Sequence, residues 1–377
     1  MDQDEFELLE QTFRSNGPEA VFDLLIRRAR DEKNYEVLFG ARIMQVRHRL
    51  GVPLIETEPV LDLAGEQRAA YETAFREAAR EAGELYLAAG DVVGAWPYLK
   101  SIGEHALVAA AIEKVTDTEN LDRVIEIAYQ EGVNPRKGFE LILKHRGICS
   151  ALTWFGSNRD FDSRQECLRL LVRTLHGELV FALKETIAAA DGAAPASDKA
   201  AELMAGRDWL FEGTSSYVDS THLTSLLRFT PELEDAGTLR MALDLAEYGQ
   251  RLAPMFHFRG DPPFEDTYLD QAMYLKALLD EDVDTAIAHF QGKAASPSIT
   301  GDTTPAEVLI ELLVRLRRHA EAIRASVEYL PKTSIRPLSC PSVLQLCQMA
   351  DDYAKLRSLA REREDLLGFV AGVIQSR

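Results

Sequence analysis

Cysteine is scarce. Cys149, Cys167, Cys340 and Cys347 are scattered through 377 residues. They are too few for a disulfide framework, so reduced thiols and a cytoplasmic setting are expected. Cys340 and Cys347 have no histidine pair to complete a metal site and read as thiols buried in helix packing. Basic charge is also short: 42 Lys and Arg stand against 61 Asp and Glu, a formal net charge of −19. A field of that sign repels phosphate, and no Lys/Arg cluster offsets it, which argues against nucleic acid and anionic membranes as partners. Long apolar runs are missing. Ala106 to Ile112 is among the longest, far below a membrane span. The start, Met1-Asp2-Gln3-Asp4-Glu5, lacks the basic and apolar regions of a secretory signal. No segment sustains the period-two alternation of a strand. There is no G-x-x-x-x-G-K loop, GxGxxG, GxSxG, HExxH or paired CxxC, so nucleotide-loop, hydrolase-elbow, zincin and zinc-ribbon chemistry has no support, and no cofactor is expected.

What is present is amphipathic helix. Apolar residues make up 46% of the chain and charged ones 27%, enough apolar surface for extensive burial in a soluble protein. Phe6, Leu9 and Phe13 recur at helical spacing, and Asn16-Gly17-Pro18 ends that helix and starts the next. A third helix carries Leu38, Ala41 and Met44, ending at Gly51-Val52-Pro53. Residues 54–59 read as extended. Helices are then expected from Leu61 toward Ala89, over Val92–Ile102, Glu104–Lys114, Asn120–Gln130 and Pro135–His145, and over Gln165–Ala190, where Leu168, Val172, Leu175, Leu179 and Leu183 form a near-heptad stripe. Gly192 to Ser197 has linker composition. Thr221–Phe229 and Thr238–Leu252 are helical, Pro254 to Pro263 is irregular, and helices resume at Tyr268, broken near Ala294–Thr304 and Pro331–Pro341.

Four joints between helices look alike: Gly90-Asp91 to Leu99, Glu281-Asp282 to Phe290, Arg317-Arg318 to Ile323, and Asp351-Asp352 to Leu356. Each is a polar turn, then a small or apolar residue at a fixed offset, then an apolar residue one turn on. Ala286, Ala322 and Leu356 hold the fixed position in the last three, spaced 36 and 34 residues apart. In the first, Gly83 and Tyr86 precede the turn, and Ala95 and Leu99 follow it. Antiparallel helices approach closely only where small residues lie at the crossing. The pattern resembles the tetratricopeptide repeat, whose period is about 34 residues, best over 268–377 and 79–103. A closing proline is absent after the first unit, Pro331 falls early, and 130–260 departs from the period. The resemblance implies an all-α fold: a right-handed solenoid of helical hairpins with an irregular central insertion. The organisation expected is an N-terminal helical region over 1–190 with one repeat-like hairpin near 79–103, an irregular segment over 198–264, and repeats over 265–377.

The stretch Arg207 to His222 departs most from plain helix, crowding Trp209, Phe211, Tyr217, Asp208, Glu212, Asp219 and His222 around Gly213 and five Ser and Thr hydroxyls. Asp219 or Ser220 reads as the N-cap of the following helix. A capping carboxylate beside a first-turn His222 also has the makings of a metal or acid–base pair. Two ligands are too few for zinc, and His257, Asp261 or Glu178 are the candidate suppliers of more. Arg169, Arg173 and His176 share a helix face, either solvated or an anion-recognising edge. The aromatics, with Phe256, Phe258 and Phe264, suit core under a long loop, although loops that interrupt repeats commonly carry function. The candidate ligand-binding set is Arg173, His176, Arg207, Asp208, Trp209, Tyr217, Asp219, His222, Arg228 and His257, with Asp219, His222 and His257 the alternative metal set.

Two functions follow. A helical-repeat module would bind a protein or peptide, a basic segment suiting its acidic surface. A metal- or small-ligand-binding enzyme would use the central His/Asp/Arg cluster instead. The missing catalytic motifs favour the module.

Overall fold

The computed structural model describes residues 3–55, 65–117, 119–158, 161–214, 216–296, 302–331 and 337–376. Part of the extended segment expected at 54–59, the start of the helix expected from Leu61, and Ser215 lie outside them. Among the described residues there are 19 α-helices and no β-strand. Among the described residues no helix is long and apolar enough to cross a membrane.

The chain divides into two units, residues 1–146 with 160–163, and residues 147–159 with 164–377. The first holds α1 (Gln3–Asn16), α2 (Pro18–Asp31), α3 (Tyr35–Arg49), α4 (Gly65–Ala88), α5 (Val92–Ser101), α6 (His105–Ile112), α7 (Leu121–Ile125) and the start of α8 (Pro135–Ser157). Each helix from α1 to α5 packs on the next, and α5 also meets α7. Tyr35, Phe39, Phe75, Tyr86 and Tyr98 interlock between α3, α4 and α5, with ring centroids 4.9–5.7 Å apart. At the α4–α5 crossing a β-carbon on Gly83 would lie 2.5 Å from Leu99 Cγ, and one on Gly94 2.6 Å from Tyr86. These glycines let the two helices close.

α8 continues past the expected end at His145. Gly147 interrupts it with φ 76° and ψ 174°, a conformation open to glycine alone. Helix then resumes at once, because Ala151, Leu152 and Phe155 are buried at helical spacing.

The second unit continues with α9 (Arg164–Asp191), α10 (Ala200–Met204), α11 (Ser220–Leu227), α12 (Ala236–Gln250), α13 (Thr267–Leu278), α14 (Val283–Ala294), α15 (Thr304–Arg315), α16 (His319–Tyr329), α17 (Val343–Met349), α18 (Tyr353–Glu362) and α19 (Leu366–Gln375). α9 carries its leucine stripe against α10, α11 and α12, and from α12 to α19 each helix packs on its successor. The core of this run includes Tyr274, Ala286, Phe290, Leu309, Leu313, Ala322, Leu346 and Leu356.

The joints share one geometry. Lys33, Gly90, Gly103, Asp280, Arg317, Asp351 and Glu364 all have positive φ. At each, the next residue's N–H reaches back five positions: Asn34 to Ala29, Asp91 to Tyr86, Glu104 to Leu99, Glu281 to Lys276, Arg318 to Leu313, Asp352 to Cys347 and Asp365 to Ala360. This is the Schellman closure, which satisfies carbonyls left over at a helix end. At four of these joints the residue after the turn then caps the next helix: Asn34, Asp91, Asp352 and Asp365 each accept an N–H from the first turn.

Candidate functional site

Polar groups in the stretch from Arg207 to His222 tie it to α10 and α12 and cap α11. Arg207 closes α10 by donating to the Leu203 carbonyl at 3.0 Å. Asp208 is exposed and pairs with Arg251 at 2.6 Å, whose guanidinium lies 3.9 Å from the centroid of the Phe211 ring. Trp209 is 37% exposed. Tyr217 donates its hydroxyl to the Leu210 carbonyl at 2.8 Å and its N–H to the Tyr248 hydroxyl at 2.7 Å. Tyr248 is fully buried, and desolvation raises its pKa. Asp219 caps α11, accepting from Thr221 N–H and Oγ1 and from His222 N–H. The Thr221 hydroxyl bond, then the backbone bonds, hold its carboxyl below the usual carboxylate range.

The three histidines have separate partners. His176 is buried on α9, its Nε2 2.9 Å from Asp244 Oδ2 on α12. His257 Nε2 lies 3.0 Å from the Leu252 carbonyl, with its ring edge-on to Tyr268. His222 lines a cavity of about 430 Å³ with Cys149, Ser225, Arg228 and Phe229. Arg173 is exposed and acts on Asp235. Burial pushes that carboxyl up, but Thr238 and then Arg169 and Arg173 bring it below the usual range. Among the described residues, no group of three or more His, Cys, Asp or Glu could hold a metal ion.

Arg228, the C-cap of α11, is where the cavities meet. Besides the His222 cavity it lines two more that also share Phe264 and Val308. The smaller, about 180 Å³, adds Asp261, Gln271 and Thr304. The larger, about 580 Å³, adds Glu232, Glu234, Glu307, Glu311 and Arg315. Glu307, Glu311 and Arg315 fall at i, i+4 and i+8, so one face of α15 supplies all three.

Their environments differ. Glu307 is buried and accepts from Ser339 N–H and Oγ, each at 2.8 Å, and from Thr303 Oγ1 at 2.6 Å. Arg315 donates to the carbonyls of Pro231 and Leu233, tying α15 to the segment after α11. Arg164 grips Glu232 with two bonds, at 2.7 and 2.9 Å. Glu311 is half-buried and has no salt bridge or hydrogen bond among the described residues. Burial pushes its pKa up, and Arg315 offsets only part of that. Tyr274, buried behind it, is pushed up to about 12 by desolvation.

The sequence-predicted set includes Arg228 but omits Gln271, Glu307, Glu311 and Arg315. The one available signal was the polar spacing 307, 311, 315 within the apolar run of α15. No protein-family model, curated protein or solved structure matches the chain.

Proposed function

We propose that the chain is a helical-repeat binding module, a tetratricopeptide-like right-handed solenoid in its repeated parts, that docks a basic protein or peptide segment. The observation that carries this reading is the acid-lined cavity of about 580 Å³ along α15, with Glu232, Glu234, Glu307 and Glu311 on its walls. Glu311 sits there partly desolvated and without an ion pair. A lysine or arginine from a partner would add to the counter-charge that Arg315 supplies only in part. The repeat reading is supported by the recurring Schellman joints, by the small residues at the α4–α5 crossing, and by packing of successive helices within each unit.

The test is fluorescence anisotropy with labelled degenerate hexapeptide pools, one carrying central lysines and one central glutamates. The lysine pool should bind, more weakly at high salt. Glu311→Gln should lower its affinity about five-fold, the scale of one partly exposed ion pair. Binding of neither pool, or equal binding of both, would refute the reading.

A further inference from the structure

The smaller cavity has a chemistry of its own. One wall is the loop over 259–266, and several contacts fix that loop. Gly260 N–H donates to the Glu265 carbonyl at 3.2 Å, Phe264 N–H to the Asp261 carbonyl at 2.7 Å, and the Thr267 hydroxyl to the Phe258 carbonyl at 3.0 Å. A β-carbon on Gly260 would lie 2.1 Å from the Phe264 carbonyl oxygen, so this close turn is built on glycine. Lys293 ties the loop down through Glu265 at 2.6 Å and Asp270 at 2.8 Å. The wall that carries Asp261 and Phe264 is therefore preformed.

Three polar groups face the cavity without a full set of partners. Gln271 is 1% exposed. Among the described residues its single hydrogen-bond contact is at 3.5 Å to the Thr230 hydroxyl, whose one hydrogen goes to the nearer Leu227 carbonyl at 2.8 Å. Every fully enclosed side-chain nitrogen or oxygen among the described residues has a partner, so the unbonded end of the Gln271 amide opens into the cavity. Amides are buried this way at a cost unless a ligand or water completes them. Arg228 has no ion pair or hydrogen bond among the described residues, and neither has the Asp261 carboxylate. Both line the cavity, yet they do not pair with each other. Most other arginines near this region are engaged: Arg164 with Glu232, Arg251 with Asp208, Arg240 with Glu281.

A cation and an anion on one small cavity, not paired with each other, with a buried amide and an apolar side formed by Phe264 and Val308, complement a zwitterion. Size agrees: an apolar cavity of roughly 150 Å³ holds benzene, so about 180 Å³ suits a molecule of one amino acid. In a peptide the two end charges belong to different residues, so a cavity of one-amino-acid size does not take both.

We propose that this cavity binds a free α-amino acid with an apolar side chain. Arg228 takes the carboxylate, Asp261 the ammonium and Gln271 a further hydrogen bond, while the side chain rests on Phe264 and Val308. The inference does not depend on peptide binding by the α15 carboxylates.

Isothermal titration of the full chain with leucine, N-acetyl-leucine and leucine amide tests it, since each derivative removes one charge. Leucine should bind about tenfold tighter than either derivative. Arg228→Gln should abolish the preference over leucine amide, and Asp261→Asn the preference over N-acetyl-leucine. Both variants should keep the wild-type Tm without ligand, because these side chains are exposed and unpaired. If valine, leucine and methionine all fail to bind at millimolar concentration, or if both derivatives bind as well as leucine, the proposal is wrong. A bound lysine peptide in that event leaves the α15 groove standing.

Discussion

His176 and Asp244 show what burial does to single side chains. Each lies inside an apolar interface, between the leucine stripe of α9 and the Leu239–Tyr248 face of α12, and each has the other at 2.9 Å. Removing one partner leaves the other desolvated and unbonded. His176→Leu should cost about 2–3 kcal/mol in urea unfolding, the scale of a hydrogen bond to a charged group. Adding Asp244→Leu should recover most of that, because an apolar pair of similar size packs without a polar orphan. Glu311 is the opposite case, with a folded-state pKa raised by burial. For a raised carboxyl, stability is fully present below the unfolded pKa and is lost as pH rises through the folded one. Glu311→Gln removes that loss, so it should raise Tm at neutral pH, with the gain vanishing near the ordinary glutamate pKa of about 4. Asp219 is the residue whose local role was most legible, since a cap is decided by the next three residues.

Helix ends were the most legible elements, for the same reason. A Schellman turn and its cap involve residues within five positions, so Gly90-Asp91 and Asp351-Asp352 announce their joints in the sequence. Several joints put a bulky residue in the left-handed position, among them Arg317 at φ 58°. Arg317→Gly should relieve that strain and stabilise the protein by up to about 1 kcal/mol, read as a higher Tm. The α4–α5 crossing responds the other way. Gly83→Ala pushes a methyl into Leu99 and should cost about 1–3 kcal/mol, as overpacking does. The second half of α8 escaped sequence reading. Gly147 is a genuine local stop, and only burial of Phe155 and its neighbours restarts the helix.

Across the whole chain, acidic residues set the response to pH. Asp219 is held below the usual carboxylate range by the Thr221 hydroxyl, Glu113 by Asn134 and then Arg136, and Glu281 by Arg240. Glu81 is also depressed, Arg42 and Arg30 outweighing the desolvation that raises it. Depressed carboxyls give stability that is present above the unfolded pKa and lost as pH falls through the folded value. Stability should therefore hold from neutral pH to about 5 and fall below about pH 4, followed by the helical signal in circular dichroism. Helical content that stays unchanged down to pH 2 would show that these pairs contribute little.

Helical character, the start and stop of most helices and a formal net charge of −19 were all legible in the amino-acid sequence. Those properties depend on composition and on hydrogen bonds between near neighbours. Which side chains meet is a matter of packing between distant segments. Arg228 ends α11, Asp261 sits in a loop, Gln271 is on α13 and Glu311 on α15, and no local rule links them. His176 and Asp244 lie 68 residues apart. Their meeting depends on how helix faces cross, which is fixed by the fit of side chains from distant segments and is not carried by any one of them.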